Sequence, residues 1–153
     1  MRVYLAAPYG SRETIRGYAS ELTRVGFTVT SSWLEETHEI NEGTQGAASA
    51  LDPSQVAVHA STDLTDIDNS DLLVLFTSNA VGVEGGGGRH VESGYAIAKA
   101  LPVIVVGDPE NVFHRLPRAC SVVPTWNEAL IELAARLVRD LREADYAKVV
   151  NAS

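Results

Sequence analysis

The chain of 153 residues has a single cysteine, a single methionine, no basic cluster and no long apolar segment. Cys120 alone closes no internal disulfide, which fits a reducing, cytoplasmic setting. Near a strand start it reads as a small apolar residue rather than a nucleophile. The longest apolar run, Leu101–Gly107, is strand-sized and far short of the roughly 20 residues that span a bilayer. The opening MRVYLAAPYG turns polar at once and does not read as a secretion signal. Twelve Lys and Arg against 20 Asp and Glu leave a formal charge of −8. Binding to a nucleic-acid polymer needs a basic face that releases counterions, so a small ligand is the expected partner instead. The four histidines, His38, His59, His90 and His114, are scattered, with no His-x-x-x-His and no cysteine pair, so no metal site is expected. The glycine run Gly85–Gly88 lacks the Lys-Ser/Thr ending of an NTPase loop, and no G-x-G-x-x-G follows the first strand. No nucleotide cofactor is expected.

What is present is a regular alternation of strand-sized apolar runs and helical patterns. Arg2–Ala6 reads as a first buried strand, broken by Pro8-Tyr9-Gly10. Ser11 stands where a helix cap belongs, Ile15, Ala19, Leu22 and Val25 follow at helical spacing, and Gly26 ends the pattern. Phe27–Thr30 is a second strand. Residues 31–51 are polar and acidic, and read as a mobile flap over a site or as a solvated insertion. Asp52-Pro53-Ser54-Gln55 is a helix start, and Val56, Ala60, Leu64 and Ile67 place a core face on the helix that runs to about Asn69. Leu72–Phe76 and Pro102–Val106 read as the third and fourth strands, with a helix over His90–Ala100 between them. A short helical connection at Asn111–Leu116 leads to a fifth strand, Ser121–Val123. Thr125-Trp126-Asn127-Glu128 is a capping box opening a long helix striped by Leu130, Leu133, Ala134, Leu137 and Leu141, with residues 147–153 expected to fray. The whole is one α/β domain: a three-layer, doubly wound, five-stranded parallel sheet of flavodoxin-like order.

The stretch SNAVGVEGGGGRHVESGYAIAKA, residues 78–100, organises the rest. A glycine run after a buried strand, opening into a helix, is either a flexible surface loop or a ligand loop at the carboxyl edge of the sheet. Glu92 falls in what reads as the first helical turn, where the positive end of the helix dipole favours a carboxylate. It is thus a candidate nucleophile or base. Asp63, Asp66, Asp68 and Asp71 crowd the preceding helix and turn. Asp68 and Asp71 read as turn and cap residues. Asp63 lies at the border of the apolar face, and spacing alone leaves it either exposed or facing a cleft.

Three segments together, VYLAAPYG, DLTDIDNSDLLV and HVESGYAIAKALPV, resemble the nucleoside 2-deoxyribosyltransferase superfamily, including its 2′-deoxynucleoside 5′-monophosphate N-hydrolases and CMP N-glycosidases. The resemblance covers about residues 2–107. It implies that Glu92, in an E-x-G-x-A helix, is the nucleophile. It also implies that Asp63, eight positions before Asp71, is the acid–base residue, and that Tyr4 stands beside the nucleophile. Tyr9 and Trp33 become candidates to stack on a base, although Trp33 also suits the core. By the same resemblance the loop Ala7, Pro8, Tyr9, Gly10 and Arg12, with Gly87, Gly88 and Arg89, would bind the 5′ end of a nucleoside or nucleotide. Where such enzymes carry Ser or Asp six positions before the nucleophile, this chain has Gly86. They assemble as dimers or larger oligomers, which implies a homo-oligomer in which His114 or Asn111 reaches a neighbouring pocket. The implied activity is cleavage of an N-glycosidic bond, with the sugar passed to a second base or to water. A nucleotide-binding sensor without turnover is the competing class; an FMN protein would need a Ser/Thr-rich loop that APYGSR does not supply.

Overall fold

The computed structural model describes residues 1–35, 53–85 and 87–151. Five strands, β1 (Arg2–Ala6), β2 (Thr28–Val29), β3 (Leu72–Phe76), β4 (Val103–Val106) and β5 (Cys120–Val123), form one sheet in the order β2-β1-β3-β4-β5. Every pairing is parallel. The flavodoxin-like order read from the sequence is therefore the order found. β3 and β4 are buried along their whole length, as expected for central strands covered on both faces.

Helices cover both faces. On one side lie α1 (Arg12–Arg24) and α5 (Trp126–Asn151), joined through aromatic packing. The Tyr18 ring of α1 stacks on Phe76 of β3 at 5.5 Å and on Trp126 of α5 at 4.5 Å. On the other side lie α2 (Pro53–Asp68) and α4 (Gly88–Ala98). They are tied by Asp68, which pairs with Lys99 at 2.8 Å and accepts from the Tyr95 hydroxyl. Leu5, Ile15, Leu22, Ile67, Ile104 and Leu133 are fully buried between these layers.

Several local expectations need correction. Ser11 does not cap α1: its hydroxyl donates back to the Pro8 carbonyl at 2.6 Å, closing a 3-10 turn over Tyr9–Ser11. The second strand is only Thr28–Val29, because Phe27 N–H bonds the Leu22 carbonyl at the end of α1 and never joins the ladder. A short helix unmarked in the sequence, α3 (Ser78–Val81), follows β3 and ends in Gly82 at φ 68°. Asp68 and Asp71 are not local turn residues. Asp68 bridges two helices, and Asp71 takes the backbone N–H of Arg2 at 2.7 Å and its guanidinium at 2.8 Å. The connection between β4 and β5 holds a 3-10 turn, Val112–Arg115, capped by the Asn111 side chain, which accepts from Phe113 and His114 N–H. The Thr125 hydroxyl does meet the Glu128 carboxylate at the start of α5. That helix runs past Tyr146 to Asn151. Of the segment expected to act as a flap, Ser32–Glu35 forms a 3-10 turn, while 36–51 lies outside the described residues. Among those residues no helix is long and apolar enough to cross a membrane.

Candidate active site

A cavity of about 350 Å³ opens where the loops leave the carboxyl ends of β1 and β3. In open α/β sheets this edge is where ligands bind. Four pieces of chain build it. The turn after β1 brings Ala7, Pro8 and Tyr9, and the turn after β2 brings Trp33. One face of α2 brings Val56, His59, Ala60, Asp63 and Leu64, spaced three and four apart as one helical face requires. The start of α4 brings Gly88, Arg89, Val91 and Glu92. Val56, Ala60 and Leu64, which by periodicity alone belong to the core, line this opening instead; of that stripe only Ile67 is fully buried.

Glu92 is not in the first turn of its helix. α4 begins two residues earlier than the pattern suggests, at Gly88, with Gly87 in helical conformation accepting from His90 and Val91 N–H. Glycine is a poor helix former, yet here the turn is anchored by tertiary bonds to the arginine that follows it. The dipole acts mainly within the first turn, so it is not what holds Glu92. Tyr4 does that. From the middle of β1, fully buried, its hydroxyl donates to Glu92 Oε1 at 2.9 Å. Burial pushes the Tyr4 phenol far above its ordinary range, and the neighbouring carboxylates of Glu92 and Asp63 push the same way. The phenol therefore remains a proton donor at any working pH. Two carboxyl groups from different helices thus line one apolar cavity, and one of them, Glu92, is held by a fixed hydrogen-bond donor.

Tyr9 and Trp33 form a tilted ring pair, with centroids 6.1 Å apart. Trp33 is a core residue with one surface on the cavity: it is buried, and its indole N–H donates to the Leu5 carbonyl at 2.8 Å. Its turn is fixed by Asp66, whose carboxylate takes the Ser32 N–H at 2.9 Å and hydroxyl at 2.6 Å. Sequence reasoning missed that role, although a carboxylate one turn beyond Asp63 marks the position. The Arg12 guanidinium lies 5.0 Å from the centre of the Tyr9 ring and donates to its hydroxyl at 2.6 Å.

Arg89 lines the cavity, but its guanidinium is engaged. It pairs with Glu110 at 2.9 Å and donates to the Ser78 hydroxyl at 2.9 Å. Burial pulls the Glu110 carboxyl upward, but hydrogen bonds from Ser78 and Arg89 outweigh it and leave the group below its ordinary value. Behind this pair lies a polar cluster. Asn111 Nδ2 stands 3.0 Å from His114 Nε2 and 3.3 Å from His90 Nδ1, and Glu110 N–H donates to His114 Nδ1. His114 is thus buried inside its own protomer and is not presented to a neighbouring copy. Burial lowers the pKa of both histidines.

Of the residues singled out by sequence, Glu92, Asp63, Ala7, Pro8, Tyr9, Gly88 and Arg89 meet at the cavity, with Tyr4 directly beneath. Gly10, Arg12, Gly87 and His114 do not line it. Gly86 lies outside the described residues. Gly85 has a packing reason to be glycine, since a Cβ there would stand 2.7 Å from Pro8 Cβ.

No family model and no curated protein matches the sequence. Among solved structures, the CMP N-glycosidase BcmB of Clostridium botulinum superposes with a TM-score of 0.56 at 20% identity, covering 88% of this chain and 99% of that one. A 2-deoxyribosyltransferase from Bacillus psychrosaccharolyticus superposes with a TM-score of 0.55 at 17% identity, covering 84% and 90%. The chain has the fold of these two enzymes. Both carry names of the kinds that the sequence motifs resemble, and the likeness runs nearly the full length of each.

Proposed function

We propose that the protein cleaves the N-glycosidic bond of a nucleoside or its 5′-monophosphate, passing the sugar to a second base or to water. The observation that carries this reading is that Asp63 and Glu92 line one apolar cavity, with Glu92 held by the buried Tyr4 hydroxyl. A site that only binds a neutral base or sugar has no use for two carboxyl groups set side by side in an apolar cavity, whereas glycosyl transfer uses both, one as nucleophile and one as acid and base. The names of the two structural neighbours support the same chemistry.

In this mechanism the base leaves as its C1′–N bond breaks, and Asp63 supplies the proton that the departing nitrogen takes up. Positive charge builds on C1′ and the ring oxygen, and Glu92 stabilises it and then bonds to C1′ as a glycosyl ester. Tyr4 holds Glu92 in place through Oε1. Asp63, now a carboxylate, removes a proton from the incoming base or water as that nucleophile displaces Glu92. Tyr9 and Trp33 face the base. The far end of the sugar lies toward the Ala7–Arg12 loop and Gly87–Arg89.

The test is base release from a panel of nucleosides and 5′-monophosphates, followed by chromatography with and without a second free base. Release without an acceptor marks a hydrolase, and a new nucleoside formed only with an acceptor marks a transferase. Glu92→Ala abolishes turnover and retains binding. Release surviving in Glu92→Ala overturns the mechanism, and binding without release from any compound would make this a sensor.

A further inference from the structure

Residues 25–88 hold ten aspartates and glutamates and not one lysine or arginine. This stretch supplies most of the cavity wall, Trp33, His59, Asp63 and Gly88 included. Permanent positive charge can reach the wall only from the segments on either side of it. Arg12, after β1, does not line the cavity: its guanidinium donates to the Tyr9 hydroxyl at 2.6 Å and stands 3.8 Å from the Glu13 carboxylate. Among the described residues, Arg89 is the one lysine or arginine on the wall.

Arg89 is already neutralised. Its side chain is 4% exposed, and both oxygens of Glu110 hold it. Nη2 donates to Oε2 at 2.9 Å and to Oε1 at 3.1 Å, and Nε donates to Oε2 at 3.2 Å. Nη2 also reaches the Ser78 hydroxyl, and Nη1 is packed beside Gly85, where a Cβ would stand 3.3 Å from it. Glu110 is fixed in turn, its Oε1 accepting from the Ser78 N–H at 2.6 Å. Burial raises its carboxyl, but the bonds from Ser78 and Arg89 outweigh this and keep it charged near neutral pH. His90 and His114 behind it are pulled below their ordinary value by burial, so they add no charge there near neutrality. Arginine and glutamate cancel, and the guanidinium fork that would grip a phosphate is occupied by a carboxylate of its own chain.

The two substrates that the proposed function leaves open differ at this point. A 5′-phosphate carries about −1.5 to −2 charges near pH 7, whereas a nucleoside ends in a neutral hydroxyl. The phosphate would bring its charge into a cavity that already holds Asp63 and Glu92, in a chain of net charge −8. To offset it, Arg89 would have to leave Glu110, and breaking a buried pair strands the other charge. We infer that the substrate is the uncharged nucleoside, and that Glu110 sets this choice as a positioning residue, holding Arg89 out of reach of a 5′-phosphate. The inference rests on the glycosidic reading for where the 5′ end of the sugar lies.

The experiment is calorimetric titration of the full chain carrying Glu92→Ala, which turns nothing over in the proposed mechanism. The probes are the common ribonucleosides and 2′-deoxynucleosides, each beside its own 5′-monophosphate. The preferred nucleoside is expected to bind about tenfold or more tightly than its monophosphate. Glu110→Gln on the same background keeps an acceptor for Arg89 and removes the charge. It is expected to tighten monophosphate binding about tenfold and to leave nucleoside binding unmoved. Arg89→Gln/Glu110→Gln removes both charges and returns the original preference. A monophosphate bound as tightly as its nucleoside before any change at position 110 overturns the inference, and that comparison decides even where Glu110→Gln does not fold. A ratio unmoved by Glu110→Gln in a protein that melts normally, or a gain kept in the double variant, overturns the role of Glu110. A nucleoside bound by the wild type and not cleaved sinks the glycosidic reading alone, whereas binding of neither compound sinks both.

Discussion

Tyr4, with no access to solvent, governs Glu92, the nucleophile of the proposed mechanism. Its hydroxyl donates to Glu92 Oε1 at 2.9 Å and cannot ionise, because burial and two neighbouring carboxylates hold the proton on it. The bond holds the Glu92 carboxylate in one orientation. Tyr4→Phe removes the oxygen and leaves the ring, so packing in the core is conserved. A lost hydrogen bond to a charged group is worth roughly 1.5–3 kcal/mol, which corresponds to a fall in kcat of about ten- to a hundredfold with KM little changed. Steady-state kinetics separates the two parameters. An unchanged kcat would reduce Tyr4 to a packing residue.

At the scale of elements, the aspartates of α2 divide the labour of the site. Asp63 faces the cavity, Asp66 fixes the turn that carries Trp33, and Asp68 ties α2 to α4. Asp66→Ala leaves the Ser32 N–H and hydroxyl without their acceptor and loosens the turn beneath Trp33, at a distance from both carboxylates. Its expected effect is a severalfold rise in KM with kcat nearly retained, the pattern of lost substrate binding rather than lost transition-state stabilisation. Saturation curves for the best substrate decide it, and an equal fall in kcat would show that the turn also positions the reacting groups. These elements also show what the sequence could reveal. Runs such as Leu72–Phe76 and Val103–Val106 are legible because a doubly covered parallel strand must be apolar throughout. Glu92 and Asp63 are legible through the motif spacing around them, and Tyr4 through its place in β1. The start of α4 was not legible. Glycine disfavours a helix, and only the Arg89–Glu110–Ser78 bonds, which join residues far apart in sequence, fix the turn at Gly88. The exposure of Leu141 was hidden for a similar reason. Leu141 falls within reach of the core stripe by periodicity, and only the extent of the sheet shows that it lies beyond the edge.

For the molecule as a whole, the histidine junction and two ion pairs between elements set its tolerance of acid. His90 and His114 lie at the junction of α4 with the β4–β5 connection, their rings 5.4 Å apart. Burial and the Arg89 charge depress both, His90 lowers His114 further, and Glu110 opposes this in part. A group that binds its proton less readily when folded draws stability away once the unfolded chain begins to protonate. Stability therefore falls as pH drops through the ordinary histidine value of about 6.5. A second loss comes lower. The hydrogen bond from Lys99 holds the Asp68 carboxyl, and that from Arg2 the Asp71 carboxyl, below the ordinary aspartate range. Their contribution is complete above about pH 4 and disappears as pH falls through the folded-state values. The melting temperature plotted against pH should thus descend in two steps, one below pH 6.5 and one below pH 4. His90→Gln/His114→Gln, unable to take up protons at either ring, flattens the upper step and leaves the lower one. Asp71→Asn, which cannot accept the Arg2 guanidinium as an ion pair, shrinks the lower step and leaves the upper. An upper step that persists unchanged in the histidine double variant would assign the proton uptake to groups outside this junction.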